Sequence, residues 1–260
     1  MKMRKVAYII FFVLFLTITG GIFYRGKIIE NKKTIIVQET FQNDNSETQK
    51  KLQEAVKENT KEESEKLEEK IIPIPDSAVL EVPFLSQAPF AKWDALHEDA
   101  CEEASLIMVK YFIDGVRTIS KEKGEREIQD MVKFENRNKY GLSITLKELN
   151  EIAIKYYNLE NGRVEKNITV ENIKKELASR KPVIVGAAGK VLPNPNFKNG
   201  GPNYHMLVIV GYDDKGFITN DPGTRLGKNF RYSFDDLYKS IHDWNAKNIL
   251  NGEKNYLVFD

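Results

Sequence analysis

The chain has 260 residues, with 39 Lys and Arg against 38 Asp and Glu and a formal net charge of +1. Acids and bases are interleaved, so the basic footprint of a nucleic-acid binder is absent. A single cysteine, Cys101, rules out an intramolecular disulfide framework, and no Cys/His pairs stand at structural zinc spacing.

The N-terminus opens with a basic leader, Lys2, Arg4 and Lys5, and continues as an uncharged, mostly apolar run from Val6 to Phe23. As a helix this run extends ~27 Å, enough to cross a bilayer's hydrocarbon core with snorkelling flanks. Tyr8 and Tyr24 fall near the two interfaces. Residues 1–27 are therefore expected to be a membrane anchor, the alternative being a cleaved secretory signal near Thr19, Gly20 and Gly21. A short basic segment before the first apolar run stays inside, which places the rest of the chain outside the cytoplasmic membrane. Residues 28–78 read as a charged helical or disordered stalk. Leu52, Val56 and Leu67 give it a partial seven-residue pattern and a possible weak self-association, and Pro73 and Pro75 end any helix there.

The texture changes at Val79, so residues 79–260 are expected to form the globular domain. Val79 to Leu85 reads as an edge strand carrying Pro83, and Ala88 to Glu98 as a loop. Ala100 to Ile113 is helical, with Ala104, Ile107, Met108 and Tyr111 on one buried face. Glu125–Asn136, Leu146–Tyr156 and Val170–Ser179 are further helices, the second capped by Ser143 or Thr145. Apolar runs at Pro182–Ala187 and His205–Tyr212 then read as strands. A turn at Asp213–Gly216 follows, then strands at Phe217–Asn220 and Asn229–Tyr232, a helix at Ser233–His242 and a last strand at Lys254–Phe259. Helices first and an antiparallel sheet second make an α+β domain.

Cys101 has three possible roles: packing, metal ligation or nucleophilic attack. A helix start favours the thiolate, the reactive form, and an imidazole brought in by the fold would favour it further. His205 opens an apolar strand, and Asp221 lies just beyond the partner strand of the Asp213–Gly216 hairpin. The two are therefore expected within a few residues of each other across the ladder, as a base and its orienter require. Glu102 and Glu103 suit the helix dipole, but their charge opposes thiolate formation. His97, four residues before Cys101, is a rival imidazole and reads as a loop or pocket-wall residue. His242 reads as surface or packing. The Gly-, Pro- and Asn-rich loop from Gly189 to Asn203 reads as a rim or lid over a cleft.

Four segments carry a resemblance. They are Val82-Pro83-Phe84-Leu85-Ser86-Gln87 ahead of the Cys101 helix, Lys181 to Val185, Tyr204 to Asp214, and Asn220-Asp221-Pro222-Gly223. Together they resemble the bacteriocin-processing-peptidase-like (C-thirty-nine-like) branch of the papain-like cysteine peptidases, over roughly residues 79–260. The resemblance implies a papain-like fold, with a helical part packed on a C-terminal antiparallel sheet, in a bacterial cell envelope. It implies Cys101 as nucleophile, His205 as general base and then acid, and Asp221 as orienter. It also implies that the Gln87 side-chain amide joins the Cys101 backbone N–H in an oxyanion hole. The surroundings of Cys101 differ from the family's usual glycine and proline. The expected activity is hydrolysis of a peptide or protein substrate, without metal or organic cofactor. A peptide-binding pseudopeptidase and a cell-wall amidase or transpeptidase on the same fold are the competing functions.

Overall fold

The computed structural model describes residues 73–260. The expected anchor at 1–27 and nearly all of the expected stalk at 28–78 lie outside the described residues. Among those described, no helix is long and apolar enough to cross a membrane. The described compact unit runs from Pro73 to Asp260, and Tyr212 Oη donates to Pro75 O at 2.8 Å.

Local chemistry sets the element boundaries. Strand β1 is only Ala78–Val79, and the segment that follows it is not a strand, contrary to expectation. Pro83 has no N–H to offer a ladder, and the Val82 carbonyl is met by the Asn220 side chain at 3.0 Å. A short helix α1, Ala95–Glu98, stands where a loop was expected, its Asp94 cap accepting from His97 N. Helix α2 covers Cys101–Ile113. Helix α3, Lys121–Asn138, starts earlier than expected because Ser120 caps it. Helix α4, Leu146–Tyr157, begins at a capping box of Thr145 and Glu148. Strand β2, Gly162–Lys166, was not anticipated. Its residues are half exposed and mostly polar, so they carry no apolar alternation. Helix α5, Val170–Ala178, follows a Thr169 cap.

Strands β3 (Val183–Ala188), β4 (Tyr204–Asp213), β5 (Gly216–Asn220), β6 (Phe230–Tyr232) and β7 (Asn255–Phe259), with helix α6 (Phe234–Ser240) before the last, agree with the expected elements to within about two residues. The antiparallel sheet has the order β2-β7-β3-β4-β5-β6, with β1 pairing to β4. The β4–β5 hairpin turns at Gly216, whose φ of +139° favours glycine.

Helix α2 packs on β4 on one side and on α3 and α4 on the other. It is therefore buried almost all round, from Cys101 through Val109. Fully burying side chains such as Leu106, Ile107 and Met108 stabilises the fold by roughly 1.5–3 kcal/mol each. This central packing holds the start of α2 against the early residues of β4, which fixes Cys101 relative to His205.

Candidate active site

The β4–β5 register explains how His205 and Asp221 meet. Val208 lies opposite Asn220, and a bulge follows between Ile209 and Gly211. Asp221 therefore emerges just past the end of β5, beside the first residues of β4. His205 Nε2 lies 2.8 Å from Asp221 Oδ1, and both side chains are buried. Gly223 N donates to the same Oδ1 at 3.0 Å. Tyr232 Oη at 2.7 Å and Asn194 Nδ2 at 3.1 Å donate to Oδ2. Burial alone would raise the Asp221 carboxyl. The His205 charge and hydrogen bond, with the donors from Tyr232 and Gly223, outweigh it and hold the group below the usual carboxylate range. An ionised Asp221 only accepts, so in the neutral imidazole the proton sits on Nε2 and the lone pair on Nδ1.

Cys101 and His205 line one cleft of about 660 Å³, together with Gln87, Trp93, Phe197 and Gly223. The 189–203 loop walls this cleft, and the Phe197 ring meets the His205 ring edge-on with centroids 5.3 Å apart. The Cys101 thiol is buried and donates to Glu102 Oε2 at 2.9 Å. No hydrogen bond joins it to His205 among the described residues. Burial pushes the thiol well up, the Glu102 charge and hydrogen bond add to this, and a backbone hydrogen bond from Met206 opposes it.

Three expected details need correction. Gln87 does not offer a free amide donor to the cleft: Nε2 donates to the carbonyls of His97 at 2.8 Å and Glu98 at 3.1 Å. These are end carbonyls of a one-turn helix, which lack helical partners and so attract a capping donor. The first-turn N–H of Cys101 remains outside the helix's own ladder. Glu102 and Glu103 are not a solvated helix start but are 2% and 4% exposed, closed in by α3 and β4. His97 is neither a loop nor a pocket-wall residue. It is buried in α1, with Nδ1 2.6 Å from Asp94 Oδ1 and Nε2 3.0 Å from Glu125 Oε1. It ties α1 to α3 and makes no contact of this kind with Cys101. His242 lies just past α6, and its Nδ1 meets Gly252 O at 3.0 Å, a packing role.

Sequence reasoning missed Tyr232 and Asn194. Both are buried at 2% and 6% exposure and reach Asp221 from the β6 strand and the 189–203 loop, and no motif in the sequence marks either of them.

Such an arrangement can hold an imidazole in one tautomer beside a thiol within a partly enclosed cleft, the requirement for thiol-based acyl transfer. No curated protein matches the chain. A solved structure described as a C39-like peptidase from Bacillus anthracis is 15% identical, with 72% of this chain and 98% of that chain covered and a TM-score of 0.47. The model of the Peptidase C39 like family matches residues 79–248. That span contains Cys101, His205 and Asp221, and the chain belongs to this family.

Proposed function

We propose that the protein is a papain-like cysteine peptidase that cleaves peptide bonds through an acyl-enzyme on Cys101. The observation that carries this reading is the buried His205–Asp221 pair, 2.8 Å apart, sharing one cleft with the chain's only cysteine. In this reading the thiol turns from Glu102 to His205 Nδ1, which takes its proton. Catalytic hydrogen bonds of this kind often tighten only once substrate is bound. The thiolate attacks the carbonyl carbon, a C–S bond forms, and the Cys101 N–H meets the developing oxyanion. His205 then returns the proton to the leaving amine as the C–N bond breaks. Water, deprotonated by the same imidazole, hydrolyses the thioester and restores the thiol. The apolar run at 6–23 supports a membrane-tethered enzyme with its domain outside the cytoplasm, acting on a peptide or protein of the cell envelope.

One observation favours a second reading, a peptide-binding protein with a resting thiol: the thiol's hydrogen bond runs to Glu102 and its ionisation is suppressed. Iodoacetamide applied to the full chain separates the two, because Cys101 is its only thiol. The peptidase reading expects alkylation faster than a free thiol near neutral pH, falling to the free-thiol rate in His205→Ala, and peptide cleavage abolished in Cys101→Ala. Alkylation of the wild type at or below the free-thiol rate sinks the peptidase reading.

Gly223 gives a second check. A Cβ at this position would lie 2.8 Å from His205 Cε1 and 3.0 Å from Phe197 Cε1. Gly223→Ala is therefore expected to displace the imidazole, and a displacement approaching 1 Å costs up to about 10²-fold in rate. Alkylation at the wild-type rate in a folded Gly223→Ala protein would show that the ring has freedom to spare.

A further inference from the structure

We propose that Tyr232 and Asn194 are positioning residues for the Asp221–His205 pair, holding Asp221 Oδ2 so that Oδ1 stays turned to the imidazole. The inference rests on the reading of His205 as the base. A carboxylate has about four acceptor positions. Here Oδ1 takes His205 and Gly223 N, while Oδ2 takes Tyr232 Oη at 2.7 Å and Asn194 Nδ2 at 3.1 Å. The terminal torsion of an aspartate is broad and soft, so the direction of Oδ1 is set by what grips Oδ2. Hydrogen bonds to an ionised acceptor are the strong ones. Asn194 also donates to Tyr232 Oη at 2.9 Å, so the two donors brace each other.

The two residues come from different sources. Tyr232 belongs to β6 and is registered against Phe217 of β5, inside the rigid sheet. Asn194 belongs to the loop that walls the cleft. Its Oδ1 accepts from Asn196 N at 3.0 Å, and Asn196 and Phe197 both line the cleft. A chain of contacts therefore runs from the cleft wall through Asn194 to Asp221 and on to His205. The loop does more than form a rim: a ligand that shifts residues 196 and 197 also acts on the carboxylate that aims the base.

A purely packing role for Tyr232 would be filled by phenylalanine, since only the hydroxyl meets Asp221. Two readouts on the full chain test this. The first is the downfield N–H proton resonance of the His205–Asp221 hydrogen bond, which does not depend on catalysis. The second is the pH profile of Cys101 alkylation together with kcat and KM on a cleaved peptide. Tyr232→Phe and Asn194→Ala are each expected to shift that resonance, move the alkylation profile, and lower kcat roughly 10-fold with KM little changed, as outer hydrogen-bond partners do. Should Tyr232→Phe fail to fold, Asn194→Ala, which changes a loop side chain and leaves the sheet intact, decides the matter alone. A resonance and a profile that both match the wild type in the folded variants overturn the inference. If the wild type itself alkylates no faster than a free thiol, the peptidase reading fails while the resonance still tests the bracing of Asp221.

Discussion

Asp221→Ala is expected to lower peptide turnover by about 10³–10⁴-fold, close to the effect of losing the orienting carboxylate in other nucleophile–histidine sites. The reasoning begins with His205 Nε2, which has Asp221 Oδ1 as its partner at 2.8 Å. Without that acceptor the imidazole is free to adopt the other tautomer, placing a proton on Nδ1 where the thiol proton must arrive. The same change leaves Tyr232 Oη, Asn194 Nδ2 and Gly223 N facing an empty position. Each buried donor without a partner costs about 1–3 kcal/mol, so the variant is also expected to be several kcal/mol less stable. Asp221→Asn separates the two effects. Its Oδ1 can still accept from Nε2, while its amide opposes the donors on Oδ2. Turnover in Asp221→Asn is therefore expected to fall between wild type and Asp221→Ala. Turnover and alkylation at wild-type rates in a folded Asp221→Ala protein would remove Asp221 from the mechanism.

The sequence made the His205–Asp221 pairing readable because hairpin geometry is local. A turn at Asp213–Gly216 between two apolar runs places the residues near Asn220 opposite the early part of β4, whatever the rest of the fold does. The start of α4 was similarly legible from a capping oxygen at Ser143 or Thr145, and Thr145 is the one that meets the first-turn amide. What failed depended on distant partners. The segment from Leu80 to Leu85 has strand composition, yet its polar groups are met in part by Asn220, well over a hundred residues later. The family resemblance implies Gln87 as an oxyanion donor, but α1 forms nearby and takes its amide. The burial of Glu102 and Glu103 was the least readable feature. A helix start carrying two carboxylates reads as solvated until α3 and β4 are known to enclose it.

That enclosure leads to the other large effect, on stability against pH. Glu102 is 2% exposed, and its carboxyl meets the Cys101 thiol and no cation among the described residues. Burial, with the neighbouring Glu103 charge, pushes it up to about 8. Glu103 and Glu135 share a hydrogen bond, and burial raises both. A carboxyl raised in the folded state keeps a proton that the unfolded chain releases above about pH 4.3. Its contribution to stability is therefore whole below that pH and declines as pH rises towards about 8. For Glu102 the shift corresponds to roughly 5 kcal/mol across the whole window. Asp221 has the opposite sign: against its burial, the His205 charge and hydrogen bond, with donors from Tyr232 and Gly223, hold its carboxyl low, so its contribution is present at neutral pH and is lost as acid protonates it. The two buried carboxylates thus limit the domain from opposite sides, one by lacking cations and the other by being fully met. Glu102→Gln keeps the shape and removes the titration. Urea unfolding at pH 5, 7 and 8.5 is expected to show the variant gaining on the wild type as pH rises, by up to roughly 4 kcal/mol. Alkylation of Cys101 is expected to quicken at pH 8.5, because the Glu102 charge then no longer opposes the thiolate. Parallel stability profiles for the two proteins would show that Glu102 is solvated in solution, and its opposition to the thiolate would then have to be screened by water.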